Sequence, residues 1–119
     1  MYADPQTLTI NAVATTFNRV GSSNPASKGV FRTADDLQEF VVTQNVSANR
    51  FRREVRLNLK KIAVDPISTQ NKEVSTSCIL VIDEPKIGFT NAELVLQLQA
   101  MLAWATVAAN RDKLLGGEI

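Results

Sequence analysis

The sequence predicts an α+β fold, an antiparallel sheet followed by helices at the C-terminus. Three observations predict it. Apolar residues recur with period two through most of the first 84 positions, as half-buried strands require. Clusters of Gly, Ser, Asn and Pro interrupt that alternation at hairpin-like intervals. From Thr90 onward the apolar spacing becomes helical, and strands followed by helices make an α+β domain.

Element by element, "TLTINAVATTFNRV" alternates from Leu8 through Ile10 and is rich in Thr and Val, as in a strand. "GSSNPASKG" (21–29) is a cluster of turn formers and reads as a loop leading into "VFRTAD". "DLQEFVVTQNV" (36–46) places Phe40 and Val42 on one face and Val41 and Thr43 on the other. "SAN" (47–49) is short enough to join that strand to "RFRREVRLNLKK" (50–61) as a hairpin. Asp65-Pro66 ends the second strand, because proline cannot donate to a ladder and restricts the residue before it. "ISTQNK" (67–72) completes an exposed loop, and "EVSTSCILVIDE" (73–84) is the next strand. Thr76, Cys78, Leu80 and Ile82 share one of its faces; Ser75, Ser77, Ile79, Val81 and Asp83 share the other.

"TNAE" (90–93) is a capping box that starts a helix. Leu94, Leu98, Met101, Leu102 and Ala105 follow at helical spacing, and Gly116-Gly117 ends the helical region. Whether it is continuous or broken at 106–110 stays open. The chain is expected to be one domain over 1–119: a hairpin region at 1–35, the main sheet at 36–89 and a helical dimerisation region at 90–119.

The 119 residues carry a net charge of +1, so a polyanion site must be a local face rather than a global field. There is no histidine and one cysteine, which removes the usual zinc sets, Cys/His nucleophiles and disulfide frameworks. Cys78 is expected to be a small buried hydrophobe. No catalytic motif, metal set or cofactor signature emerges. Asp35-Asp36 and Asp83-Glu84 are adjacent carboxylates, but neighbours on a strand face opposite ways. The chain is not expected to be an enzyme. The N-terminus lacks the features of a signal peptide, and the longest uncharged run is shorter than the ~20 residues that span a bilayer, so a soluble protein is expected.

Two features remain to be explained. Six of the thirteen basic residues fall within 50–61. With Val55, Leu57 and Leu59 on the covered side, Arg52, Arg56 and Lys60 face away. Thr43, Ser75 and Ser77 would join them on a basic, hydroxyl-bearing face suited to RNA. Alternating charges are equally what the solvent side of any half-buried strand carries, and Glu54 allows simple cross-strand pairs. The second feature is that 94–109 is apolar on more than one face, with Val95, Leu96, Trp104 and Val107 beside the main stripe. One small sheet cannot cover it all. Each exposed leucine forgoes ~1.5–3 kcal/mol, and a second copy of the chain is the simplest cover.

Three stretches, "TLTINAVATTFNRV", "VTQNVSANRFRREVRLNLKK" and "PKIGFTNAELVLQLQAMLAW", taken in order, resemble the coat proteins of single-stranded RNA bacteriophages. The resemblance covers nearly the whole chain and lies in order and length rather than in one motif. It implies an N-terminal β-hairpin, a five-stranded antiparallel sheet and two C-terminal helices. It also implies an intertwined homodimer with a ten-stranded sheet, in which each helix lies over the partner's sheet. Dimers of the family build an icosahedral T=3 capsid, the virion shell, around genomic RNA in the bacterial cytoplasm. In well-known members a dimer also binds an RNA hairpin and represses translation.

Carried over residue by residue, the RNA-facing positions are Thr43, Asn49, Arg52, Glu54, Arg56, Asn58, Lys60, Ser75, Ser77 and Ile79. The dimer interface would contain Leu94, Leu98, Met101, Leu102, Trp104 and Ala105. The loop of Asp65, Pro66, Ile67, Ser68, Thr69 and Gln70 corresponds to the one gathered around the shell's symmetry axes, with Pro66 suited to alternative conformations there. Two departures stand out. Some members stack a base on a tyrosine of the last strand, where this chain offers Ser77 or Ile79. Val41 stands where a small polar residue helps form a base pocket. Packaging by charge therefore fits better than operator recognition through the familiar contacts. The alternative is a dimeric RNA-binding regulator that does not assemble.

Overall fold

A computed structural model of the chain describes residues 2–10, 12–21 and 27–119. It divides into two compact units, Met1–Glu84 and Pro85–Ile119. The first contains the sheet, with strands β1 (Gln6–Ile10), β2 (Val13–Val20), β3 (Lys28–Arg32), β4 (Gln38–Val46), β5 (Arg50–Val64) and β6 (Asn71–Pro85). The strands lie side by side in chain order. Every pairing from β1 to β5 is antiparallel.

The stretch that reads as one strand near the N-terminus is a hairpin. Ile10 pairs with Val13, so the loop is two residues long, and Ala12 closes it with φ of 61°. Two-residue hairpin loops need positive φ, because only such turns match the strand twist. Alanine is not a residue that favours this conformation, so Ala12 itself gives no sign of the turn. The hairpin is not separate from the main sheet: β2 pairs onward with β3, Arg19 opposite Phe31. Of the expected loop at 21–29, residues 22–26 lie outside those described.

The core follows from register. Phe40 lies opposite both Phe31 and Leu57, and Phe17 shares their face. Phe17 and Phe31 are fully buried, and the Phe40 ring sits 6.4 Å from Phe17 and 6.3 Å from Phe31. Val42 completes this side, buried opposite Val55. Arg19 closes the upstream end. Its guanidinium lies 4.7 Å over the Phe31 ring and donates to the Tyr2 carbonyl at 2.6 Å. Its backbone N–H donates to Asp4.

The adjacent carboxylates behave as turn and strand-end groups. Asp35 accepts from the Thr33 hydroxyl and the Leu37 N–H. These bonds hold its pKa below the ordinary aspartate value. Asp83 and Glu84 pair on opposite faces of β6, with Arg50 and Arg53 respectively.

Cys78 is exposed rather than buried. The reason is position: β6 is an edge strand, and most of its fifteen residues are exposed in the single chain. An edge of that length with exposed apolar residues such as Val74 and Ile79 is a surface that natural sheets ordinarily cover or pair.

The second unit contains α1 (Asn91–Thr106) and α2 (Ala108–Leu115). Thr90 caps α1, its hydroxyl accepting from the Glu93 N–H at 3.3 Å. The helical region breaks at Val107, whose ψ of 121° is extended, and the two axes bend by 79°. Asn110 bridges the break by donating from its side chain to the Trp104 carbonyl. Gly117, with φ of 81°, follows the end of α2. No residue of either helix is buried in the single chain. Among the described residues, no single helix is long and apolar enough to cross a membrane.

Candidate nucleic-acid interface

Strand β5 divides its basic residues by parity. Arg50, Arg52, Arg56 and Lys60 fall on one face with Glu54 and Asn58, whereas Arg53 and Lys61 fall on the other. The β4 register brings Thr43 opposite Glu54, Val41 opposite Arg56 and Glu39 opposite Asn58. On the other flank, contacts from β5 to Asp83, Ser77 and Glu73 of β6 place the odd-numbered residues of β6 on this same face. Nine of the ten expected positions therefore share one surface: Thr43, Arg52, Glu54, Arg56, Asn58, Lys60, Ser75, Ser77 and Ile79. Asn49 lies in the β4–β5 turn, exposed at one end of it.

The cations are mostly paired. Arg50 meets Asp83 at 2.8 Å, Arg56 meets Glu54 at 3.2 Å, and Lys60 reaches Glu73 at 4.0 Å. The Arg50 and Lys60 pairs are exposed, and an exposed pair contributes only ~0–1 kcal/mol and yields readily to an incoming phosphate, whereas the Arg56–Glu54 pair is half-buried. Among the described residues, Arg52 has no ion pair.

Across β3, β4, β5 and β6 runs a chain of polar contacts that alternation does not reveal. Arg32 donates from Nε to Glu39 Oε2 at 2.7 Å. Asn58 Nδ2 donates to Glu39 Oε1 at 3.3 Å. The Ser77 hydroxyl donates to Asn58 Oδ1 at 2.8 Å. Burial opposes ionisation of the Glu39 carboxyl. The bonds from Arg32 and Asn58 and the charges of Arg32 and Lys28 outweigh it, and the pKa lies below the ordinary glutamate value. The same bond and charge raise the pKa of Arg32. Arg32, Glu39 and Arg50 were not among the expected site residues. The signal that finds Glu39 is its parity with Val41 and Thr43.

The face is not open throughout. Val30 and Val41, cross-strand partners on this side, are 7 % and 6 % exposed, so the floor between β3 and β4 is closed. Loop 65–70 is compact. Asp65 donates its N–H to the Gln70 carbonyl and accepts from the N–H groups of Ile67 and Thr69. The Ile67 bond holds the Asp65 carboxyl below its ordinary pKa. The Ile67 side chain is 94 % exposed at the tip.

The six residues expected at a dimer interface lie along α1. Leu94 and Leu98 are half-buried, whereas Met101, Leu102, Trp104 and Ala105 are exposed. Among the described residues no group of His, Cys, Asp and Glu could hold a metal ion.

No protein-family model matches the chain, and no curated protein matches it in sequence. Solved structures do match. The subunit in the virus-like particle of bacteriophage AVE019 superposes with a TM-score of 0.83 over 98% of this chain and 97% of that one, at 14% identity. The chain has the fold of the single-stranded RNA bacteriophage coat proteins. The virus-like particle of Beihai levi-like virus 21 gives a TM-score of 0.78 over 100% and 98% of the two chains, at 12% identity. An unassembled bacteriophage coat-protein dimer described as RNA-binding gives 0.61 over 98% and 95%, at 14% identity. The coat-protein fold thus extends end to end, through the hairpin, the sheet and the two C-terminal helices that the resemblance implied.

Proposed function

We propose that this chain is a non-enzymatic capsid protein whose dimers assemble into an icosahedral shell, a virion component, enclosing single-stranded RNA. The observation that carries the reading is the coat-protein fold over 98% of the chain and 97% of a virus-like-particle subunit. The exposed edge β6 and the uncovered apolar residues of α1 support self-association. Pairing β6 with its copy would satisfy both free edges and extend the sheet to the partner. The partner would in turn cover Leu98, Met101, Leu102 and Trp104, removing surface worth ~1.5–3 kcal/mol for each large side chain. Loop 65–70 would gather at the symmetry axes of the shell, presenting Ile67.

The face of β4, β5 and β6 is the RNA side in this reading. Arg52, Arg56 and Lys60 hold phosphates, and Thr43, Asn58, Ser75 and Ser77 supply hydrogen bonds to sugar or base. Translational repression through an RNA hairpin would use the same face. Assembly takes place in the cytoplasm of the bacterial host.

Expressing the chain alone tests the proposal. Electron microscopy should show uniform closed particles, and their 260/280 nm absorbance ratio should report enclosed RNA. Dimers that bind RNA but form no particles would replace the shell by a non-assembling regulator. A protein that stays monomeric at micromolar concentration would overturn the proposal.

A further inference from the structure

The tip of the β5–β6 hairpin carries a projection and a recess that do not meet within one chain. Three bonds brace the loop. The Asp65 N–H donates to the Gln70 carbonyl at 2.9 Å, and the Thr69 N–H donates to the Asp65 carbonyl at 2.8 Å. The Ile67 N–H donates to Asp65 Oδ1 at 2.9 Å. This last bond sets a carboxylate beside the backbone of Ile67, whose side chain is 94 % exposed. At the base of the loop lies a shallow, mainly apolar cavity of about 320 Å³, lined by Ala63, Val64, Asp65, Pro66, Lys72 and Val74. Ile67 does not line it. Lys72 is exposed there and, among the described residues, has no ion pair.

We propose that Ile67 of one copy seats in this cavity of a second copy, where Lys72 pairs with the Asp65 carboxylate that accompanies the incoming side chain. Charge complementarity selects the occupant. An apolar tip with a carboxylate beside it suits an apolar hollow with an unpaired ammonium, and the chain itself carries that tip. Projection and recess are different surfaces, so the contact is head to tail: each copy inserts one Ile67 and receives another. Contacts of this kind close into rings when the rotation from copy to copy closes. Pairing through β6 and α1 makes only a dimer, and this contact supplies a way to join one dimer to the next. The bracing bonds fix the tip before contact, so little ordering cost opposes association. Asp65 has two roles in this arrangement, as an acceptor that shapes its own loop and as the charge presented to the neighbour.

This inference rests on the shell-protein reading, and the test separates the two. In a Cys78→Ser background, Ile67→Cys and Val74→Cys are combined and the assembled particles are oxidised with copper-phenanthroline. Thiols of tip and recess that lie in contact can close a disulfide. Non-reducing gel electrophoresis should then show a ladder of covalent oligomers, and neither single variant should give one. Ile67→Ala should raise the protein concentration needed for half-assembly about tenfold. Ile67→Glu should leave soluble dimers that form no particles and bind RNA as the wild type does. Asp65→Asn keeps an acceptor for the Ile67 N–H but removes the charge. It and Lys72→Gln should each weaken assembly, and the double variant should be no weaker than either alone. Particles that yield only the monomer band on oxidation would overturn the contact and leave the shell standing. Ile67→Glu particles at wild-type yield would do the same. A wild type that forms no particles would overturn the shell reading and this contact with it.

Discussion

Glu39 is the acidic residue on which the basic face is organised, linking Arg32 to Asn58 and holding both. Its carboxyl has a folded pKa below the ordinary value of 4.5. It therefore stabilises the fold above that value and loses the contribution as pH falls through the folded pKa. Asp35 and Asp65, lowered by their own hydrogen bonds, act in the same direction. Denaturation midpoints should fall between about pH 6 and pH 3, and Glu39→Gln should show a smaller drop than the wild type. At the other end of the chain, Thr90→Ala removes the cap of α1 and should cost about 0.5–2 kcal/mol, read by urea denaturation. Part of the site was legible residue by residue. The alternation of 52–60 identifies Arg52, Arg56, Asn58 and Lys60 as one face. Parity with Val41 and Thr43 puts Glu39 on that face, but its partners were not legible, because Arg32 and Asn58 come from two other strands and only register brings them to it.

Among the elements, β6 and α1 share a property: both carry apolar residues that the single chain leaves exposed. Met101 and Leu102 are 59% and 49% exposed, so changing them should leave the folded chain intact. Met101→Glu with Leu102→Glu should weaken self-association by about 1.5–3 kcal/mol for each side chain lost. Sedimentation equilibrium reads this as a shift towards monomer, and circular dichroism should be unchanged. The core responds differently. Phe17→Ala should cost about 3–5 kcal/mol in chemical denaturation, since that ring is fully buried in the aromatic cluster. Strand positions were legible from alternation and turn chemistry to within a few residues. The turn at Ala12 and the break at Val107 were not, because neither residue advertises the backbone conformation it adopts. Cys78 was misjudged for a related reason. Period two names the face of a side chain, but not whether its strand is central or at an edge.

For the whole molecule, shell and RNA are the testable quantities. Arg52→Glu, Arg56→Glu and Lys60→Glu together should yield particles with a 260/280 nm ratio close to that of protein alone. Unchanged RNA content would show that these three residues do not hold it. By itself, the sequence determined the class of the fold, the order of its elements and the face on which the charges of β5 lie. These are consequences of local periodicity, and periodicity is a property of neighbours in the chain. Tertiary structure alone decided that the hairpin joins the sheet, that β6 is an exposed edge, and that Val30 and Val41 close part of the basic side. It also decided that Arg32, Glu39, Asn58 and Ser77 form one line across four strands. Each of these depends on which residue stands opposite which, and strand register is set by packing between segments far apart in the chain.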